Sequence, residues 1–164
     1  MSANLSGYGF SVMELTTEKV LLFAMRHKSA IYNKSEKLNK ILDFYEFYQD
    51  KLDKKTDKEI LDILALDKKQ YNEVLNDIED WCSGLSGIGA IPSIVIAKET
   101  DIRVGYEFDN ENEVVILYTS SPWDFNDAEK ALKSKDDLKN ILLPYMKELD
   151  IPEGSFDLYT IYYD

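Results

Sequence analysis

The 164-residue chain carries 31 acids against 19 bases, a formal net charge of −12, and 45% of its residues are hydrophobic. That composition excludes a disordered polyelectrolyte, and the length fits one domain able to bury most of its apolar surface. One cysteine excludes an internal disulfide and a thiolate zinc site, and one histidine leaves nucleophilic catalysis a single imidazole to work with.

Tyr8, Phe10 and Val12 alternate with Gly9, Ser11 and Met13, which predicts a first strand. Thr16-Thr17 then offers a helix cap, and Val20, Phe23, Ala24, His27 and Ile31 follow on one helical face. The longest apolar run, Val20 to Met25, falls far short of the ~20 residues that cross a bilayer. The first residues show no basic region followed by an apolar one, so a cytoplasmic location without a secretory leader is expected. After a break at 33–35, a helix is predicted over 36–49 with Leu38, Ile41, Leu42, Tyr45 and Tyr48 at helical spacing. Thr56 and Glu59 stand at capping-box spacing ahead of a short helix. Asp67 opens a longer one, whose stripe is Tyr71, Val74, Leu75, Ile78 and Trp81, with Gly84 placed to end it.

Residues 83–92, with Gly84, Gly87, Gly89 and Pro92, read as a connector from a helical lobe at 35–82 to a strand-rich part at 93–164. Ser93 to Thr119 reads as three consecutive strands with a hairpin in the middle. Ile102, Val104, Tyr106 and Phe108 alternate with Arg103, Gly105 and Glu107, Val114 to Tyr118 is apolar on both faces, and Asp109 to Asn112 is a polar turn. Ser121-Pro122 predicts a helix to about residue 133. A second helix from Ser134 places Leu138, Ile141, Leu142, Tyr145, Met146 and Leu149 in a stripe, with a kink or break expected at Pro144. Ile151 to Gly154 reads as a turn and Phe156 to Tyr163 as a closing strand. The order β-αααα-βββ-α(α)-β predicts a single α+β domain, a mainly antiparallel sheet of about five strands with helices on one face.

No motif names a reaction. His27 lies on an apolar helix face and reads as a packed imidazole, and Cys82 ends a buried stripe as a small hydrophobe. The glycines at 84–89 lack the preceding strand and the lysine of a phosphate loop. Asp109, Asn110, Glu111 and Glu113 offer oxygen ligands without the spacing of a calcium loop. No enzyme activity, cofactor or metal is therefore expected.

Charge is the feature left over. Residues 1–82 hold 15 acids and 12 bases, whereas residues 83–164 hold 16 acids and 7 bases, a net of −9. Glu99, Asp101, Glu107, Asp109, Glu111, Glu113, Asp124, Asp127 and Glu129 face Arg103 alone as a counter-charge, and these nine are the candidate partner-binding residues. Such a field repels phosphate and anionic membrane and attracts a basic protein. Acids at alternate strand positions lie ~7 Å apart, too sparse alone to copy a duplex with one charge per ~1.7 Å, so the helix from Ser121 would have to thicken the patch.

In size, charge and lack of catalytic equipment the chain resembles the small acidic inhibitors of phages and mobile elements, such as anti-CRISPR proteins. That resemblance implies a nucleic-acid-mimicking surface that blocks the channel of a defence nuclease. Acidic immunity proteins that neutralise toxins look the same at this level. Asp57 to Trp81 (DKEILDILALDKKQYNEVLNDIEDW) resembles a helix-turn-helix of the transcription-regulator type, which implies that Lys68, Lys69 and Gln70 would face the groove. The acids that follow them, Glu73, Asp77, Glu79 and Asp80, favour a structural helix pair.

Overall fold

A computed structural model describes residues 3–85, 87–100, 102–109, 112–118 and 135–163. The organising element is α1 (Thr17–Arg26), in which every residue from Val20 to Met25 is buried. That stretch is apolar all round and must be covered on all sides, and α1 is packed by α5 (Lys68–Ser83) and α6 (Ala90–Thr100). Thr16 caps its start, accepting a hydrogen bond from the Lys19 N–H at 3.3 Å. His27 ends it, and a single turn, α2 (Lys28–Ile31), continues the chain.

Next, α3 (Glu36–Phe44) starts on a Ser35 cap and ends five residues before the position that periodicity predicts. Glu46–Lys51 is a 3-10 segment instead, with the Lys51 ammonium 5.3 Å from the Phe47 and Tyr48 ring centres. The capping box of Thr56 and Glu59 is formed at the start of α4 (Asp57–Leu64). Asp67 caps α5, which buries Val74, Ile78 and Cys82. Beyond it the chain turns back through Gly87, whose φ of 132° suits glycine and whose N–H donates to the Cys82 carbonyl at 2.8 Å.

The segment that reads as the first of three consecutive strands is helical. Residues 90–100 form α6, burying Ala90, Ile91, Pro92, Ser93, Val95 and Ile96. A short apolar run carries no face preference, so its period cannot separate a buried strand from a buried helix. Pro92 fits because it lies in the first turn, where a backbone N–H would have no intrahelical acceptor. The glycine connector thus joins two helices, not a helix to a strand.

Among the described residues the sheet has four strands, not five: β1 (Ala3–Ser11), β2 (Arg103–Asp109), β3 (Asn112–Tyr118) and β4 (Asp157–Tyr163). Their order is β2-β3-β1-β4, and all neighbours are antiparallel. Tyr8 pairs with Leu117 on one side and Leu158 on the other, which puts β1 at the middle of the sheet. The two edge strands approach each other, so the sheet is curled.

A last helix, α7 (Lys135–Glu148), packs on β1 and buries Leu138, Leu142 and Met146. It runs on through Pro144 without the expected break. Its end is closed by Asp150 at φ 57° and by the Ile151 N–H donating to the Met146 carbonyl at 2.8 Å, a Schellman closure. The expectation of an α+β domain with five strands and helices on one face is overturned. Helical residues outnumber strand residues more than two to one, and α2, α5 and α6 pack on α1 while α6 and α7 reach the sheet at β2 and β1. The helix predicted from Ser121 lies outside the described residues.

Candidate functional site

The backbone register of the β2–β3 hairpin sorts the acids placed there. Glu107 pairs with Val114, Phe108 with Glu113 and Asp109 with Asn112. Residues opposite each other in an antiparallel pair share a face, so Glu107 and Asp109 occupy positions of one face and Glu113 a position of the other. Among the described residues β2 pairs only with β3, which puts the hairpin at one edge of the sheet. Asp101, Glu111, Asp124, Asp127 and Glu129 lie outside the described residues.

Glu99, the remaining member of that set, sits elsewhere and has intramolecular partners. It stands on the last turn of α6, where its Oε2 meets His27 Nδ1 at 2.9 Å and its Oε1 accepts from the Tyr145 hydroxyl at 3.0 Å. Glu148, on the last turn of α7, meets His27 Nε2 at 2.8 Å. The imidazole rests on the Phe23 ring, centroid to centroid 4.4 Å. One histidine at the end of α1 thus meets two carboxylates and a phenol from two other helices.

A neutral imidazole has one N–H, and here each ring nitrogen faces a carboxylate, so the arrangement is satisfied by the imidazolium. Burial opposes that charge, but the hydrogen bonds that the ring donates to Glu148 and Glu99 outweigh it and hold the pKa above the ordinary 6.5. Burial, reinforced by the bond to Glu99, pushes the Tyr145 phenol well above its usual range. With its proton on and both nitrogens engaged, His27 has no free lone pair to act as a base. Sequence reasoning reads His27 as a packed residue and misses its partners. They lie 72 and 121 positions away, and no local pattern announces them.

Beside this cluster runs a second one. Asp57 accepts from Arg26 and, at 2.7 Å, from Lys19, both on α1, and Lys19 also reaches Asp150 beyond α7. Burial works against the Asp57 charge, yet the two cations keep its carboxyl below the usual range. Cys82 is buried, and burial pushes its thiol up to about 12, far from the range of a reactive thiolate.

Lys68 and Lys69 are exposed at the start of α5, and Glu73, Glu79 and Asp80 are exposed further along the same helix. Among the described residues no group of three or more His, Cys, Asp or Glu is arranged to hold a metal ion. Among them, too, no helix is long and apolar enough to cross a membrane. Comparison with protein-family models, curated proteins and solved structures found no match to the chain.

Proposed function

We propose that the chain is a non-enzymatic protein-binding protein that works in the cytoplasm and uses its acidic C-terminal half to engage a basic partner. The partner's chemistry is that of a nucleic-acid-binding enzyme, such as a defence nuclease occluded by a phage or mobile-element inhibitor. The observation that carries this reading is the charge imbalance, a net of −9 in residues 83–164 against −3 in residues 1–82. A field of that sign accelerates association with a basic surface and opposes nucleic acid. The place of the β2–β3 hairpin at one edge of the sheet supports it, since acids on an edge strand discourage pairing with another sheet. A non-enzymatic role draws support from the engaged imidazole of His27 and the buried thiol of Cys82.

The regulator reading is weakened by the exposed Glu73, Glu79 and Asp80 on α5, which would meet phosphate after the first turn. The test is affinity capture from a bacterial lysate, with and without nuclease treatment, followed by washes in low and then high salt. A basic nucleic-acid-binding enzyme held at low salt and released at high salt is the expected result. Capture of DNA would favour the helix-turn-helix at 57–81. A captured toxin would favour an immunity protein, and an empty column would leave the charge as solubility alone.

A further inference from the structure

We propose that His27 is a proton-controlled latch that holds α6 and α7 against α1. Its Nδ1 and Nε2 contact Glu99 of α6 at 2.9 Å and Glu148 of α7 at 2.8 Å. The imidazole is the joint at which helices from residues 17–26, 90–100 and 135–148 meet. Both contacts are hydrogen bonds only while both nitrogens carry protons. Loss of one proton sets a nitrogen lone pair against a carboxylate oxygen within hydrogen-bond distance, and attraction becomes repulsion at one of the two joints.

Among the described residues, the groups facing the imidazole are mostly acids. Glu99 faces His27 from α6, Glu148 and Tyr145 face it from α7, and Asp53 lies across a cleft of about 280 Å³ lined by Arg26, His27 and Glu148. Arg26, the nearest cation on α1, is held by Asp57. Lys28 follows His27 in the chain and pairs loosely with Asp43 and Glu46, each at 3.6 Å. The His27 side chain is 17% exposed, so solvent screens the pair only in part and protons still have access. With the latch open, the α7 face that buries Leu138, Leu142 and Met146 keeps its packing on β1, and the Phe23–Tyr145 ring contact at 6.3 Å and the Lys19–Asp150 pair still join α7 to α1.

The direction follows from linkage. A folded-state pKa raised above 6.5 means that the latch contributes fully below 6.5 and is lost as pH rises through the folded value. Because the chain has one histidine, its ring-proton resonance reports this site alone.

The experiment follows that resonance by NMR in the full chain between about pH 5 and 9.5, together with amide exchange over residues 135–149 corrected for intrinsic rates. The expected result is an imidazole titrating above 6.5, with α7 exchange accelerating about tenfold or more at the same midpoint. His27→Gln should exchange at the faster rate throughout, without a pH step. Glu148→Gln keeps a polar partner but no charge, and should lower the midpoint, which preserves the test should His27→Gln fail to fold. An imidazole titrating at or below 6.5, or α7 protection that stays constant while the imidazole titrates, would overturn the latch.

Discussion

His27 and Glu148 are 121 residues apart in the chain, yet they form a 2.8 Å contact in which both side chains are mostly shielded from solvent, 17% and 22% exposed. Breaking such a partly buried, charge-assisted pair costs more than breaking a surface ion pair, because the carboxylate left behind loses its counter-charge where water screens it only in part. Replacing His27 by Gln should therefore cost about 2 kcal/mol more at pH 6 than at pH 9.5, because only the low-pH state carries the imidazolium. Urea unfolding of both proteins at the two pH values measures the difference. An equal loss at both would assign the effect to packing on Phe23 in place of charge.

Asp57 works in the opposite pH range. It begins α4 and joins that helix to α1 through Lys19 and Arg26, each about a fifth exposed. Asp57→Asn leaves two partly buried cations without their shared anion, and should lower stability by about 2 kcal/mol at neutral pH. Since the folded pKa is depressed below 3.8, this contribution is present above 3.8 and lost as pH falls through the folded value. The two unfolding curves should converge in acid, and a gap that persists there would contradict the electrostatic account.

Tyr45 makes a prediction of the other sign. It is 2% exposed in the core, and its hydroxyl has no hydrogen-bond partner among the described residues. Burial pushes that phenol up to about 12. An unsatisfied buried hydroxyl costs free energy, so Tyr45→Phe should leave stability unchanged or raise it by up to about 1 kcal/mol. Tyr45→Ala, which leaves a cavity, should lose about 3–5 kcal/mol. Thermal unfolding of the pair separates ring from hydroxyl, and a loss above 1 kcal/mol in Tyr45→Phe would mean that the hydroxyl is bonded.

What could be seen in advance follows the range of the forces involved. The capping box at Thr56 and the stripe Tyr71, Val74, Leu75, Ile78 and Trp81 are local, and the box forms as its spacing predicts. Of the stripe, Val74 and Ile78 are buried while Tyr71, Leu75 and Trp81 are half-buried, whereas the strand read through Met13 ends at Ser11. By contrast, α6 was hidden because Ile91, Val95 and Ile96 belong to a run buried on all sides, and β-branched residues there imitate a central strand. The early end of α3 at Phe44 follows no spacing rule, since Tyr45 continues the apolar stripe. The His27 cluster is built from positions 27, 99, 145 and 148, so only the folded chain brings it together. That is also why Glu99, counted among the partner-binding acids on charge alone, turns out to be engaged by His27 and Tyr145.

The acidic-interface account is tested most directly by moving the lost charge about the molecule. Glu107, Asp109, Glu111 and Glu113 are replaced by their amides in one variant, and Glu18, Glu73, Glu79 and Asp80 in another, so that both lose four charges. Each is then compared with the unaltered chain for capture of the basic partner as a function of salt. The account predicts that the hairpin variant loses the partner at low salt while the other variant keeps it. Equal retention, or equal loss, by the two variants would contradict it.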